Sequence, residues 1–89
     1  MHAVVVKATV HDFEKGQKVL NEQVVPRVKQ APGLVAGYWT RSDNQGLSMI
    51  VFESEEAARA AAEQARTNAP PSEVVTLDDI EVREVVASA

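Results

Sequence analysis

Residues 32–60 read PGLVAGYWTRSDNQGLSMIVFESEEAARA. Pro32-Gly33 closes whatever precedes it, because proline cannot extend a helix and glycine accepts the backbone that ends one. Leu34–Arg41 is predicted as a strand. Ser42-Asp43-Asn44-Gln45-Gly46 is a polar turn in which Asn44 and Gly46 tolerate positive φ. Leu47–Glu53 is the next strand, so 34–53 forms a β-hairpin. Ser54 then offers a side-chain oxygen to cap a helix, and Glu55 and Glu56 occupy a first turn where the macrodipole favours acids. The alanine-rich stretch 57–66 carries that helix to about Thr67 or Asn68, and Ala69-Pro70-Pro71 ends it.

Outward from this centre, Ala3–Val10 alternates as a strand. Val4, Val6, Ala8 and Val10 share one face; Val5, Lys7 and Thr9 share the other. Asp12 caps a helix predicted over 13–30, with Phe13, Leu20, Val24 and Val28 at helical spacing. Pro26 removes the amide that would reach the carbonyl of Glu22, which predicts a kink or break there. Toward the C-terminus, Ile80–Val86 alternates as a fourth strand. Val74–Thr76 reads as a separate short strand before Leu77-Asp78-Asp79. The order β-α-β-β-α-β in one domain spanning 1–89 predicts an α+β, ferredoxin-like fold. It has a four-stranded antiparallel sheet and two helices on one face. The strand order 4-1-3-2 accompanies that fold.

Composition narrows the function classes. The chain has 89 residues and a formal charge of 9 − 13 = −4. That balance argues against nucleic acid as a partner, since phosphate binding needs clustered cations. There is no cysteine, hence no disulfide framework and no thiol nucleophile. No apolar run approaches the ~20 residues of a membrane span, and the N-terminus lacks a signal-peptide layout, so a soluble cytoplasmic protein is expected. His2 and His11 come with no carboxylate spacing that supports a metal site. No dinucleotide fingerprint, phosphate loop, nucleophile elbow or zinc-protease helix is present.

The strands are apolar on both sides. Leu47, Met49 and Val51 alternate with Ile50 and Phe52; Leu34, Ala36 and Tyr38 alternate with Val35 and Trp39. Two helices cover only one face of such a sheet. The remaining apolar patch is large for a monomer. A homodimer with sheets packed face to face would bury Ile50, Trp39 or their alternating partners.

Pro32 through Trp39, the polar hairpin turn, and Phe52 through Ala60 together resemble the dimeric α/β-barrel superfamily. Within it they resemble the antibiotic biosynthesis monooxygenase-like group and its small actinobacterial members of unknown function. The resemblance covers nearly the whole chain, and its motifs are structural ones. It implies a homodimeric α/β barrel with a ligand cleft between each sheet and its helices or loops. Some members oxidise polycyclic phenols without a cofactor, and some degrade haem. Haem degradation in that group uses an Asn on strand one, a Trp after strand three and a His on helix two. The corresponding elements here carry none of them, so no haem ligand and no cofactor is expected. The reading implied is a cofactor-independent monooxygenase acting on a planar aromatic substrate. The alternative is a non-catalytic small-ligand-binding or dimerisation module.

A few residues stand out as site candidates. His11 is the only mid-chain side chain whose ordinary titration lies near neutrality, which suits a general base acting on a phenol. His2, near the chain end, is expected to be solvated. Tyr38 and Trp39 point to opposite faces, one toward the helices and the other toward the barrel interior, and either suits stacking on a planar ligand. Arg41 shares the face of Trp39 and suits an anionic ligand group. Met49 fills barrel volume or touches ligand. Arg83 interrupts an apolar strand, where it either meets a ligand or pairs with a carboxylate such as Glu53 or Glu81.

Overall fold

The computed structural model describes residues 1–89. Strands β1 (His2–Val10), β2 (Leu34–Ser42), β3 (Gln45–Phe52) and β4 (Val75–Glu84) form one antiparallel sheet in the order β2-β3-β1-β4. The helical elements are α1 (Phe13–Val19), a π-helical turn (Leu20–Val24), α2 (Val25–Lys29) and α3 (Glu55–Thr67). This is the ferredoxin-like βαββαβ arrangement with its 4-1-3-2 strand order. No helix is long and apolar enough to cross a membrane.

The caps form as their chemistry requires. The Asp12 carboxylate accepts the amide of Lys15 at 3.0 Å, and Ser54 Oγ accepts that of Ala57 at 3.1 Å. The left-handed backbone of Gly33 (φ 80°) turns the chain from α2 into β2, and the Gly33 carbonyl accepts the amide of Glu53 at 2.8 Å.

The core is built on one contact. α3 lays Ala58 and Ala62 directly on Val4, Ile50 and Phe52, and Phe52 is only 1% exposed. Alanine has no side-chain reach, so helix and sheet approach closely. Trp39, Val28 and Leu34 pack around this cluster.

Four details differ from the sequence expectations. The first helix does not break at Pro26. The π turn widens the coil just before it, with the Val25 amide bonding the carbonyl of Leu20. Pro26 then falls in the first turn of α2, where the widened coil accommodates its ring and its missing N–H without interrupting the helical run. Second, β4 is one strand. Lys7 pairs with Asp79 and Ala8 with Leu77, so Asp78 is the extra residue of a bulge that lets both apolar stretches face the helices. The strand stops at Glu84, leaving Val86 exposed. Third, Asp43 adopts the positive φ of the hairpin turn (φ 53°), and Gly46 lies within β3. Fourth, the His2 side chain is largely covered, with Nε2 3.3 Å from Glu55 and Nδ1 buried without a partner. It starts β1 on the helix-facing side, beneath the beginning of α3.

Gly33→Ala is expected to lower unfolding free energy by about 1–2 kcal/mol, the scale of the left-handed penalty for an L-residue. The added Cβ would also lie 3.1 Å from that of Ala57. Urea titration measures the change, and an unaltered midpoint would contradict the role given to this turn.

Candidate functional site

The side chains facing the helices decide the space between the layers. Near the core these are bulky: Val4, Ile50 and Phe52. Toward the hairpin end, the neighbouring helix-facing positions carry Ala8, Gly46 and Ser48. Across from them, α3 presents Ala57, Ala61 and Ala65. The first helical segment contributes Phe13, Leu20, Val24 and Val28 from farther away. Small residues on two sides leave a cavity of about 600 Å³ between the sheet and the helices. That volume lies within the ~300–1,000 Å³ range of small-molecule sites.

Trp39 forms an aromatic wall. Its ring lies over Gly37, where a Cβ would come within 3.1 Å of the indole. The absence of a side chain at Gly37 therefore lets the ring fold down along the sheet. Arg41 lies two residues farther along the same face. Its guanidinium carbon sits 4.3 Å from the centre of the Phe13 ring, a cation–π contact joining β2 to the start of α1. The polar groups lining the cavity are side-chain amides, hydroxyls and two guanidinium groups. Gln64 and Asn68 are hydrogen-bonded to each other at 2.9 Å, and Thr40 is committed to the carbonyl of Leu47 at 2.6 Å.

The sequence candidates fall into three places. Trp39 and Arg41 line the cavity. Tyr38, Met49 and Arg83 project from the opposite face of the sheet, where Tyr38 is cross-strand partner to Met49 and is 67% exposed. On that face the Arg83 guanidinium donates to Glu81, on the same strand, at 2.7 Å. The hydrogen bond and positive charge of Arg83 hold the Glu81 carboxyl below its ordinary range. His11 is outside both groups. It is exposed, its Nε2 is 2.8 Å from Thr76 Oγ1, and it is not among the cavity-lining residues.

Sequence reasoning missed the contribution of Arg27 and of the small residues. The signal was present in Ala8, Gly46 and Ser48, which interrupt otherwise bulky helix-facing positions. Nothing local marks a gap, because a missing volume is a relation between separate elements.

No family profile and no curated protein matches the chain. Solved structures do share its shape. HapK from Hahella chejuensis superposes with a TM-score of 0.72 at 12% identity, over 100% of this chain and 96% of HapK. SnoaB, a cofactor-independent oxygenase from Streptomyces nogalater, superposes with a TM-score of 0.68 at 17% identity, over 98% of this chain and 94% of SnoaB. A dimeric ferredoxin-like protein from an uncultured marine organism gives 0.64 at 12% identity, over 100% and 98% of the two chains. The protein thus has the ferredoxin-like fold, which a cofactor-independent oxygenase also has.

Filling the cavity tests its reality. Ser48→Leu adds apolar volume on a central strand and removes a hydroxyl that has no hydrogen-bond partner. The variant should gain about 0.5–2 kcal/mol of stability, the scale of cavity-filling substitutions. A lowered melting temperature would show that the space is not available.

Proposed function

We propose that the protein is a cofactor-independent monooxygenase whose substrate is a planar, electron-rich aromatic held in the cavity beside Trp39. The observation that carries this reading is the cavity itself. It is mainly apolar, walled by an indole, and set between sheet and helices in a fold that also serves a cofactor-independent oxygenase. The reaction that fits is oxidation of an anthrone-type phenol. Its ionised ring carbon passes one electron to O2, and the superoxide recombines at that carbon. The resulting peroxide loses water as the second proton leaves. One oxygen atom enters the substrate as a quinone carbonyl, the other leaves in water, and the substrate supplies every electron. The protein's part is to exclude water and orient the ring.

A second reading has its own support. The lining includes no histidine, carboxylate, lysine or tyrosine, so it holds no side chain that moves a proton near neutrality. That favours a binding module for the same ligand class. An oxygen electrode separates the two. A monooxygenase consumes one O2 per quinone formed from an anthrone, with one oxygen atom from O2 in the product and no hydrogen peroxide released. Uptake no faster than the protein-free control would end the enzymatic reading. An aromatic molecule co-purifying in native mass spectrometry would then support the module.

The placement of His11 makes a kinetic forecast. Because it stands outside the cavity, His11→Ala should change any oxygenase rate less than about twofold. A fall of about 10²-fold, the scale of a lost general base, would return His11 to the mechanism.

We also propose that two copies pair through the open sheet face. Tyr38, Leu47 and Met49 are each about half exposed or more there, with Val51 beside them. A neighbour of the same fold is dimeric. Sedimentation equilibrium at micromolar concentration is expected to give about twice the 9.6 kDa of one chain. Met49→Glu should shift the protein toward monomer, and a wild-type monomer would refute the pairing.

A further inference from the structure

The arginines divide into two groups. Arg59 lies 3.3 Å from Glu55, Arg66 lies 3.9 Å from Glu63, and Arg83 is bonded to Glu81. Arg27 and Arg41 have no carboxylate within ion-pair distance, and these two line the cavity. The chain carries thirteen acidic residues, yet not one of them lines that space. A protein of net charge −4 therefore surrounds its cavity with positive and neutral groups only. The contact with Phe13 also positions the Arg41 guanidinium, so a partner would meet a partly ordered donor fork.

We infer that the cavity selects aromatic anions: a flat apolar ring body bearing one carboxylate or phenolate, with the charged oxygens seated on Arg41, beside Phe13. The inference rests on the proposed reading of the cavity as a ligand site and specifies its charge. An ionised oxygen group gives guanidinium a charge-assisted hydrogen bond, and bidentate geometry when it is a carboxylate. The apolar walls take the rings. A neutral alcohol of the same shape gives Arg41 no charged partner, and a cationic ligand meets a like charge. A substrate bound as its phenolate would also arrive already deprotonated, which accords with a lining that contains no base.

The probes are 9-anthracenecarboxylate and the neutral 9-anthracenemethanol, followed by fluorescence titration at fixed ionic strength. The carboxylate should bind about tenfold tighter or more, the scale of a hydrogen bond to a charged group. Arg41→Gln should bring the ratio toward one while leaving the alcohol's affinity within about twofold. Arg41→Lys keeps the charge without the planar fork and should retain part of the preference, which keeps the test intact if Arg41→Gln fails to fold. Arg59→Gln, outside the cavity, should leave the ratio unchanged. For the phenolate source, 2-naphthol added at pH 8 should develop naphtholate absorption on binding. A carboxylate preference without that band supports the carboxylate source, and the band supports the phenolate source. Equal affinity for acid and alcohol, with no naphtholate band, overturns the charge inference and leaves the cavity a neutral-ligand site. Binding of no probe overturns the cavity reading and this inference with it. A ratio unmoved in Arg41→Gln removes Arg41 from recognition.

Discussion

The seating of α3 on the sheet sets both the core and the cavity of this small protein. Ala58 and Ala62 bring the helix backbone close to Val4, Ile50 and Phe52, and these five side chains are nearly sealed from solvent. The other helical segment meets the sheet through longer side chains. Val28 reaches the core cluster, while Phe13, Leu20 and Val24 stand over Ala8, Gly46 and Ser48. Long residues above short ones do not close the layer, and the resulting volume is the cavity. The same small-residue economy thus makes a tight core near one part of α3 and an open cavity beside it. The π turn belongs to this arrangement. It accommodates Pro26 without breaking the helix and carries Leu20 and Val24 to the cavity wall.

The two faces of the sheet serve different ends. Neighbouring residues on a strand project oppositely, so Trp39 and Tyr38 are separated by the thickness of the sheet. Trp39 and Arg41 belong to the cavity. Tyr38, Met49 and Arg83 belong to the open face, where Glu81 and Arg83 form an exposed ion pair beside apolar residues. One register slip in β2 would exchange these roles, since it would move the indole to the open side and the phenol into the cavity. The bulge in β2 between Leu34 and Ala36 and that in β4 at Asp78 set which residues reach each side.

Catalysis in such a site depends on the substrate. The lining offers amide dipoles, hydroxyls, an indole and two guanidinium groups. Such groups orient an aromatic molecule and stabilise negative charge, but they do not exchange protons near neutrality. The proposed chemistry is consistent with that inventory because an ionised, electron-rich ring reacts with O2 using its own electrons. His11 is engaged elsewhere, linking the end of β1 to Thr76 on β4.

The elements, their order and most of their ends are written locally along the chain. Alternation in β1, the Asp12 and Ser54 caps, the Pro32-Gly33 stop and the polar hairpin turn are each decided within a few residues by backbone sterics and hydrogen bonding. Together they define the βαββαβ order, and Trp39 and Arg41 were legible as sharing one face. Which face that was came from the packing of the layers, because alternation assigns two sides without saying which one the helices cover. Packing also joined Val75 and Thr76 to the rest of β4, since a bulge is a matter of pairing with β1. It placed His2 under α3 beside Glu55 and put His11 outside the cavity. The cavity exists because residues distant in sequence come together with too little side-chain volume to fill the space between them.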